Sequence, residues 1–126
     1  MIMVSSNEDQ NAAGRALLAT VVQLALSDAC TAPVKQYDGR LPITTDAFTA
    51  MRFLFDTSVP GLNEYATWLD INPDRMRAKL HEMMQDTSPN KHNGFDAMQR
   101  RYMRQNYQAW RSVKTHNLTV NEDDND

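Results

Sequence analysis

Apolar residues recur at three- and four-residue spacing over five segments of the chain, which is the pattern of amphipathic helices. The β-branched residues are scattered rather than alternating, and methionine, which has good helix propensity, is frequent. The predicted helices cover about residues 11–29, 62–69, 73–84 and 95–113, and a further one carries the apolar stripe from Ala47 to Phe55. The pattern therefore predicts an all-α fold, a compact bundle of about five helices.

Two of these segments carry most of the expected core. The helix over 11–29 is apolar around much of its circumference, which predicts that it is the central core helix. The helix over 95–113 places its apolar residues on one side: Phe95, Met98, Tyr102, Trp110 and Val113. Thr44 or Thr45 is expected to cap the second helix, with Asp46 in its first turn.

Turn residues divide the chain between these helices. Asp38-Gly39 marks a loop over 31–42, and Asn93-Gly94 marks another over 86–94. We expect a single helical domain over 11–114, preceded by a flexible N-terminus over 1–10. Residues 115–126 have no periodicity and are acidic, which predicts a disordered tail.

Composition narrows the class of protein. The chain has 126 residues and one cysteine, so it cannot form an intramolecular disulfide. No segment reaches the roughly 20 apolar residues of a membrane span, and Ser5–Gln10 is acidic and polar, unlike a secretory signal. We expect a soluble cytoplasmic protein without a membrane partner.

Charge is distributed unevenly along the chain. Residues 1–72 carry four basic and eight acidic side chains, residues 73–114 carry nine basic and four acidic, and residues 115–126 carry four acidic. The overall net charge of −3 therefore conceals a +5 segment between two acidic ones. Such asymmetry favours a polyanion-binding half, or an acidic tail that competes for it. The alternative is that long helices use Arg only to solvate their outer faces.

Residues 62–84 match the pattern of a helix-turn-helix unit. Two short helices joined by a three-residue turn cross steeply and need a small residue at the crossing, which Ala66 supplies. Asp70 occupies the turn position where a left-handed backbone usually selects Gly. Pro73 suits the first position of the second helix. Four apolar residues are expected to face inward around the turn: Leu69, Ile71, Met76 and Leu80.

If this unit reads DNA, the helix from Pro73 is its recognition helix. Asn72, Arg75 and Arg77 would lie near base edges, since Arg can bind guanine with two hydrogen bonds. Lys79 would contact phosphate, whereas Asp74 would read cytosine or stabilise the helix start. The alternative is an ordinary helix corner used for packing, with Trp68 beside it in the core.

The helix over 95–113 is the second candidate for nucleic-acid contact, because it interleaves arginines with aromatic residues. Arg100, Arg101 and Arg104 are expected to form an exposed cationic ridge that binds DNA. The same composition suits a protein interface. It also suits an amphipathic helix whose Tyr102 and Trp110 belong to the core.

The stretch from Ala47 to Leu80 resembles small helix-turn-helix-like proteins of unsettled activity that tailed phages and prophages encode. Two positions depart from that pattern: Tyr65 stands where Cys is common, and Asp70 stands where Gly is usual. The resemblance implies a phage origin, hence the host cytoplasm, more than it implies a mechanism. The matching residues are Ala50, Phe53, Leu54, Tyr65, Trp68, Leu69, Ile71, Asn72, Pro73, Asp74, Met76 and Arg77.

Catalytic and metal-binding patterns are weak. His81-Glu82 begins like a zinc-protease helix, but Gln85 stands where the second His is needed, so His81 is interpreted as a surface residue. Cys30 is interpreted as a small buried apolar residue rather than a nucleophile. No metal site, cofactor site or enzymatic activity is predicted.

The sequence leaves three functional hypotheses. The first is a non-enzymatic, phage-encoded helix-turn-helix protein that binds double-stranded DNA in transcription or genome handling. The second is a phage protein that binds and inhibits a host macromolecule. The third is a small subunit of a packaging machine. A monomer and a homodimer fit the sequence equally well.

Overall fold

The computed structural model describes the backbone of residues 2–34 and 43–124, and the side chains of 12–34 and 43–113. Within these ranges the chain is helical and contains no β-strand, so the predicted all-α bundle of five helices is confirmed. The helices are α1 (Ile2–Ala29), α2 (Thr45–Phe55), α3 (Leu62–Leu69), α4 (Pro73–Gln85) and α5 (Ala97–Asp124).

The ends of the chain differ from the predicted bounds. The backbone of α1 begins at Ile2 and that of α5 continues to Asp124, so both helices are longer than predicted. The predicted flexible N-terminus, 1–10, and the predicted disordered tail, 115–126, lie outside the residues whose side chains are described. Both stay predictions. The predicted Asp38-Gly39 turn also lies outside the described residues.

Side-chain caps fix the starts of α2 and α4. Thr44 Oγ1 accepts a hydrogen bond from the backbone N–H of Ala47 at 3.1 Å, so Thr44 rather than Thr45 is the cap. Asn72 Oδ1 accepts one from the N–H of Arg75 at 3.1 Å, and Pro73 follows as the first helical residue. Each cap satisfies an N–H that has no partner within its own helix.

The hydrophobic core forms around α2, which packs against α1, α3 and α5. Four of its eleven residues are buried: Ala47, Ala50, Met51 and Leu54. The predicted central helix, α1, likewise packs against three helices, α2, α3 and α5, but its described part is not buried around its whole circumference. Its buried residues among those described are Val22, Ala25 and Ala29, all in its C-terminal half, whereas Leu17 and Leu24 are 66% and 59% exposed.

Aromatic rings join the end of α2 to α4 and α5. The centroid of the Phe55 ring lies 4.8 Å from that of Tyr107 and 6.3 Å from that of Trp110. The His81 ring lies 5.3 Å from Phe55 and 5.0 Å from Tyr107. His81 is half-buried: it stays partly exposed on α4, as expected of a surface residue, while its ring packs against these aromatic side chains.

The entry to α3 requires a glycine. The backbone at Gly61 passes so close to α2 that a Cβ atom there would lie 2.7 Å from the Phe53 carbonyl oxygen. The N–H of Gly61 donates to Glu64 Oε2 at 2.6 Å, which ties the entry to the first turn of α3. This contact sets the position of α3 and, through the short turn that follows, of α4.

Replacing Gly61 with Ala is expected to lower the free energy of unfolding by about 1–3 kcal/mol, because the added methyl group meets backbone that cannot rotate away. Urea denaturation followed by circular dichroism measures this change. Gly14→Ala is the matched control, since nothing lies within 4 Å of a Cβ at that helical position. It should raise stability by up to about 1 kcal/mol. Equal effects of the two variants would contradict the packing described at Gly61.

Candidate nucleic-acid interface

Residues 70–72 connect α3 to α4 through a left-handed residue. Asp70 has φ 58° and ψ 42°, as its position in the sequence pattern predicts. The N–H of Ile71 donates to the Ala66 carbonyl at 3.0 Å, which closes the C-terminus of α3 within its own backbone. Ala66 is 1% exposed, in agreement with the predicted small contact.

The apolar residues around this connection are only partly inward-facing. Leu80 is buried, and Leu69 and Met76 are half-buried, in agreement with the prediction. Ile71 is 38% exposed, so the prediction that it faces inward is wrong. Trp68 is 69% exposed, so its assignment to the core is also wrong. Both side chains lie at the outer surface of the α3–α4 connection.

Arg77 is occupied within the protein rather than presented to solvent. Its Nε donates to the Leu54 carbonyl at 2.7 Å and its Nη2 donates to Asn63 Oδ1 at 2.6 Å. Nη1 lies 3.3 Å from Asp74 Oδ1. With 11% of its side chain exposed, Arg77 joins α4 to the ends of α2 and α3. The expectation that it lies near base edges does not suit this position, because the side chain is largely buried and three of its five N–H donors are used within the protein.

The other residues predicted on α4 are accessible. Asn72, Arg75 and Lys79 are all exposed. Asn72 uses its Oδ1 as the helix cap and retains its amide N–H groups as donors. The solvent-facing side of α4 also carries Asp74 and Glu82, so its charges balance.

Arg100 is completely buried, which contradicts its prediction as part of an exposed ridge. Its Nη1 donates to the Phe95 carbonyl at 2.6 Å and its Nη2 to the Ser88 carbonyl at 2.7 Å. Its Nε donates to the Asp86 carbonyl at 3.3 Å. The guanidinium thus holds three carbonyl groups of the 86–96 loop, and it is inaccessible to a ligand.

Arg104 and Arg101 take different positions on α5. Arg104 is half-buried and its Nη1 donates to the Met84 carbonyl at 2.6 Å, in the last turn of α4. A cation at a helix C-terminus stabilises the helix dipole as well as an unpaired carbonyl. Arg101 is exposed. Of the three arginines in the predicted ridge, Arg101 is therefore exposed, whereas Arg104 is half-buried and donates one hydrogen bond to α4.

The 86–96 loop that Arg100 holds is ordered by its own hydrogen bonds. His92 and Phe95 exchange backbone N–H···O bonds of 3.0 Å in both directions. Asn93 and Gly94 between them have φ of 51° and 85°, the left-handed pair typical of a two-residue hairpin turn. Asp86 Oδ2 lies 2.9 Å from His92 Nδ1.

Hydrogen bonds to Asp86 hold the pKa of its carboxyl low. The N–H of Ser88 donates to Oδ1 at 2.9 Å, and this bond, followed by the one from His92, lowers the pKa from 3.8 to about 2. The buried Arg100 acts in the same direction through its charge. These groups stabilise the loop through hydrogen bonds within the protein, and we assign no ligand-binding role to them.

An accessible face of α5 was not identified from the sequence. Gln105 and Gln108 are exposed beside Arg101, and Arg111 is exposed near them with its Nη1 3.3 Å from Tyr107 Oη. No acidic residue occurs between Asp96 and Glu122. That absence was the available signal: residues 97–121 of α5 contribute basic and amide side chains and no carboxylate of their own.

The remaining candidates have structural positions. Trp110 is 5% exposed and Tyr102 is half-buried, which places the first in the core and the second at its edge. Burial, together with the charge of Asp96, raises the pKa of the Cys30 thiol to about 11, so the thiol is protonated at neutral pH. No group of three or more potential metal ligands occurs within the described parts of the chain. Nor does any helix there combine the length and apolarity of a membrane span.

Comparisons with known proteins identify no relative of this chain. The chain matches no family model, no curated protein and no solved structure.

Replacing Arg100 with Met is expected to lower the free energy of unfolding by at least about 2 kcal/mol, because three carbonyls lose a charged donor. Guanidinium denaturation followed by circular dichroism measures the loss. Arg101→Met, one residue away on the exposed side of α5, should change stability by no more than about 0.5 kcal/mol. A similar small effect of both substitutions would show that the Arg100 side chain does not hold the loop.

The protein is expected to lose stability as the pH falls from about 4 to about 2. Because Asp86 has its pKa lowered from 3.8 to about 2 in the folded protein, its contribution is fully present above about pH 4 and is lost as the carboxyl is protonated. Asp86→Asn, which does not titrate, should show a smaller decrease over this interval in thermal unfolding. Identical pH profiles for the variant and the original chain would refute this role.

Proposed function

We propose that the protein binds double-stranded DNA through the outer surfaces of α4 and α5. The observation that carries this proposal is the part of α5 over 97–121, which contains no carboxylate of its own and on which Arg101, Gln105, Gln108 and Arg111 are exposed. The side chains of these residues are hydrogen-bond donors, and half of them are cations. Most protein–DNA hydrogen bonds go to phosphate and sugar, and Arg and Gln are among the side chains that make them.

The exposed residues of α4 support a contact beside the one on α5. The two helices pack together through the Arg104–Met84 hydrogen bond and the contact of Tyr107 with His81. Arg75 and Lys79 are accessible on α4, and Asn72 lies at its N-terminus. A helix N-terminus favours anions through its unpaired N–H groups and its dipole. In this proposal α5 follows the phosphate backbone, and the first turns of α4 approach base edges.

The binding surface is smaller than the sequence predicted. Three of the seven predicted residues, Arg77, Arg100 and Arg104, donate to main-chain carbonyls within the protein. The proposal therefore assigns DNA contacts to Asn72, Arg75, Lys79 and Arg101, with Arg111 and the two glutamines of α5 added. With few cations available, we expect modest affinity and a shallow dependence on salt compared with proteins that contact many phosphates.

The resemblance of the stretch from Ala47 to Leu80 to phage-encoded helix-turn-helix-like proteins supports a role in phage transcription or genome handling. Asp70 is consistent with that pattern, since its left-handed backbone is the feature the turn requires. Under this proposal the protein acts in the host cytoplasm and has no catalytic activity.

The double variant Arg75→Ala/Arg101→Ala is expected to weaken duplex binding by about tenfold or more at about 50 mM salt. Fluorescence anisotropy of a labelled duplex, measured from about 50 to 200 mM salt, gives the affinity and its salt dependence. Each lost phosphate contact should reduce the slope of log K against log salt by about 0.9. Both side chains are exposed, so folding should be unaffected.

The matched control is Arg15→Ala/Arg52→Ala, which removes the same charge from exposed positions on α1 and α2. Its affinity for the duplex should fall by no more than about twofold to threefold, which is the loss expected from the change in net charge alone. If the control weakens binding as much as the test variant, contact through α4 and α5 is disproved. Absence of duplex binding at the lowest salt concentration would disprove the function itself.

A further inference from the structure

The outer side of α3 presents an unpartnered aromatic surface. Trp68 is 69% exposed, the largest value among the exposed apolar side chains of the described residues. Tyr65, three positions earlier on the helix, is half-buried and stands edge-on to Phe53 with ring centroids 5.2 Å apart. Ile71, 38% exposed, follows at the end of the helix. We call Trp68, Tyr65 and Ile71 the Trp68 surface.

Acidic side chains surround the Trp68 surface. Glu64 lies one helical turn before Trp68 and is exposed, and Asp70 lies two residues after it and is exposed. Among the described residues from 62 to 79, the exposed cations are Arg75 and Lys79, because Arg77 is used internally.

We infer that the Trp68 surface binds a cationic, arginine-bearing segment of a partner protein. A guanidinium stacks on the face of an indole ring more favourably than on any other side chain, and it is more weakly hydrated than an ammonium group. Glu64 and Asp70 are exposed on the same short helix and its C-cap, so their charges attract the same guanidinium, although Glu64 Oε2 also accepts from the Gly61 N–H. The charge of the surface therefore complements this occupant.

The same charges disfavour DNA and a second copy of the chain as occupants of the Trp68 surface. DNA phosphates would be repelled by Glu64 and Asp70, so the Trp68 surface lies outside the DNA contact proposed for α4 and α5. Two copies of the chain joined symmetrically through Trp68 would bring these carboxylates together, and like charges at an interface are unfavourable. A basic segment satisfies both the indole and the carboxylates. Trp and Arg are also the residues most enriched at energetically dominant positions of interfaces.

Hexa-arginine is the probe for this inference, with hexa-lysine and hexa-glutamate as comparisons. Tryptophan fluorescence of the full chain reports contact, because Trp68→Phe leaves only the buried Trp110 and supplies the background. Hexa-arginine should change Trp68 emission in a saturable manner, hexa-lysine should bind at least about threefold more weakly, and hexa-glutamate should have no effect. Equal affinity for the arginine and lysine peptides would overturn the stacking contact.

Two variants and one charge-matched control test the location by anisotropy of fluorescein-labelled hexa-arginine. Trp68→Ala should weaken binding about tenfold. Glu64→Gln/Asp70→Asn should weaken it to a similar extent, and the amide oxygen introduced by Glu64→Gln would still accept from the Gly61 N–H. The control, Asp46→Asn/Glu82→Gln, removes two exposed carboxylates from α2 and α4. It should bind within about twofold of the original chain.

Three results would overturn the inference. The first is an equal loss of affinity in the control, which would indicate attraction by net charge alone. The second is quenching of Trp68 by duplex DNA, which would place this surface in the DNA contact. The third is a change of Trp68 emission that depends on protein concentration and that added hexa-arginine does not reverse. It would indicate that a second copy of the chain covers this surface. Unfolding midpoints of all variants establish that they are folded.

Discussion

The bundle depends on how the C-terminal carbonyl groups of its helices are satisfied. The last four carbonyls of any helix have no partner within it, and a buried carbonyl without a donor is costly. Here α5 supplies Asn106, whose Nδ2 donates to the Ala29 and Thr31 carbonyls at 2.9 and 2.8 Å at the end of α1. Arg77 serves the end of α2, and Arg100 with Arg104 serves the end of α4.

This requirement separates two uses of arginine that look the same in a sequence. Three arginines of the basic segment are consumed as long-range caps, whereas Arg75 and Arg101 remain accessible. The net charge of that segment therefore overstates the charge offered to a polyanion.

Features decided by neighbouring residues could be predicted, and those decided by distant ones could not. The Thr44 cap, the Pro73 helix start and the left-handed Asp70 each depend on contacts within a few positions, so local rules identified them. Arg77 and Arg100 depend on carbonyls 23 and 12 residues away, and no periodicity distinguishes them from exposed arginines. The exposure of Trp68 was not predicted for a related reason. It follows from the position of α3 at the edge of the bundle, and helix propensity carries no information about that position.

The hydrogen bond between Asn106 and Ala29 joins residues 77 positions apart. During synthesis on the ribosome, the carbonyls at the end of α1 are therefore hydrated, and the surface that later meets α5 is open, until the chain has been extended through α5. Contacts of such separation slow folding, because the intervening chain must lose its freedom before they form. The nascent protein thus passes through a period in which α1 and α2 are made but cannot complete their packing against α5.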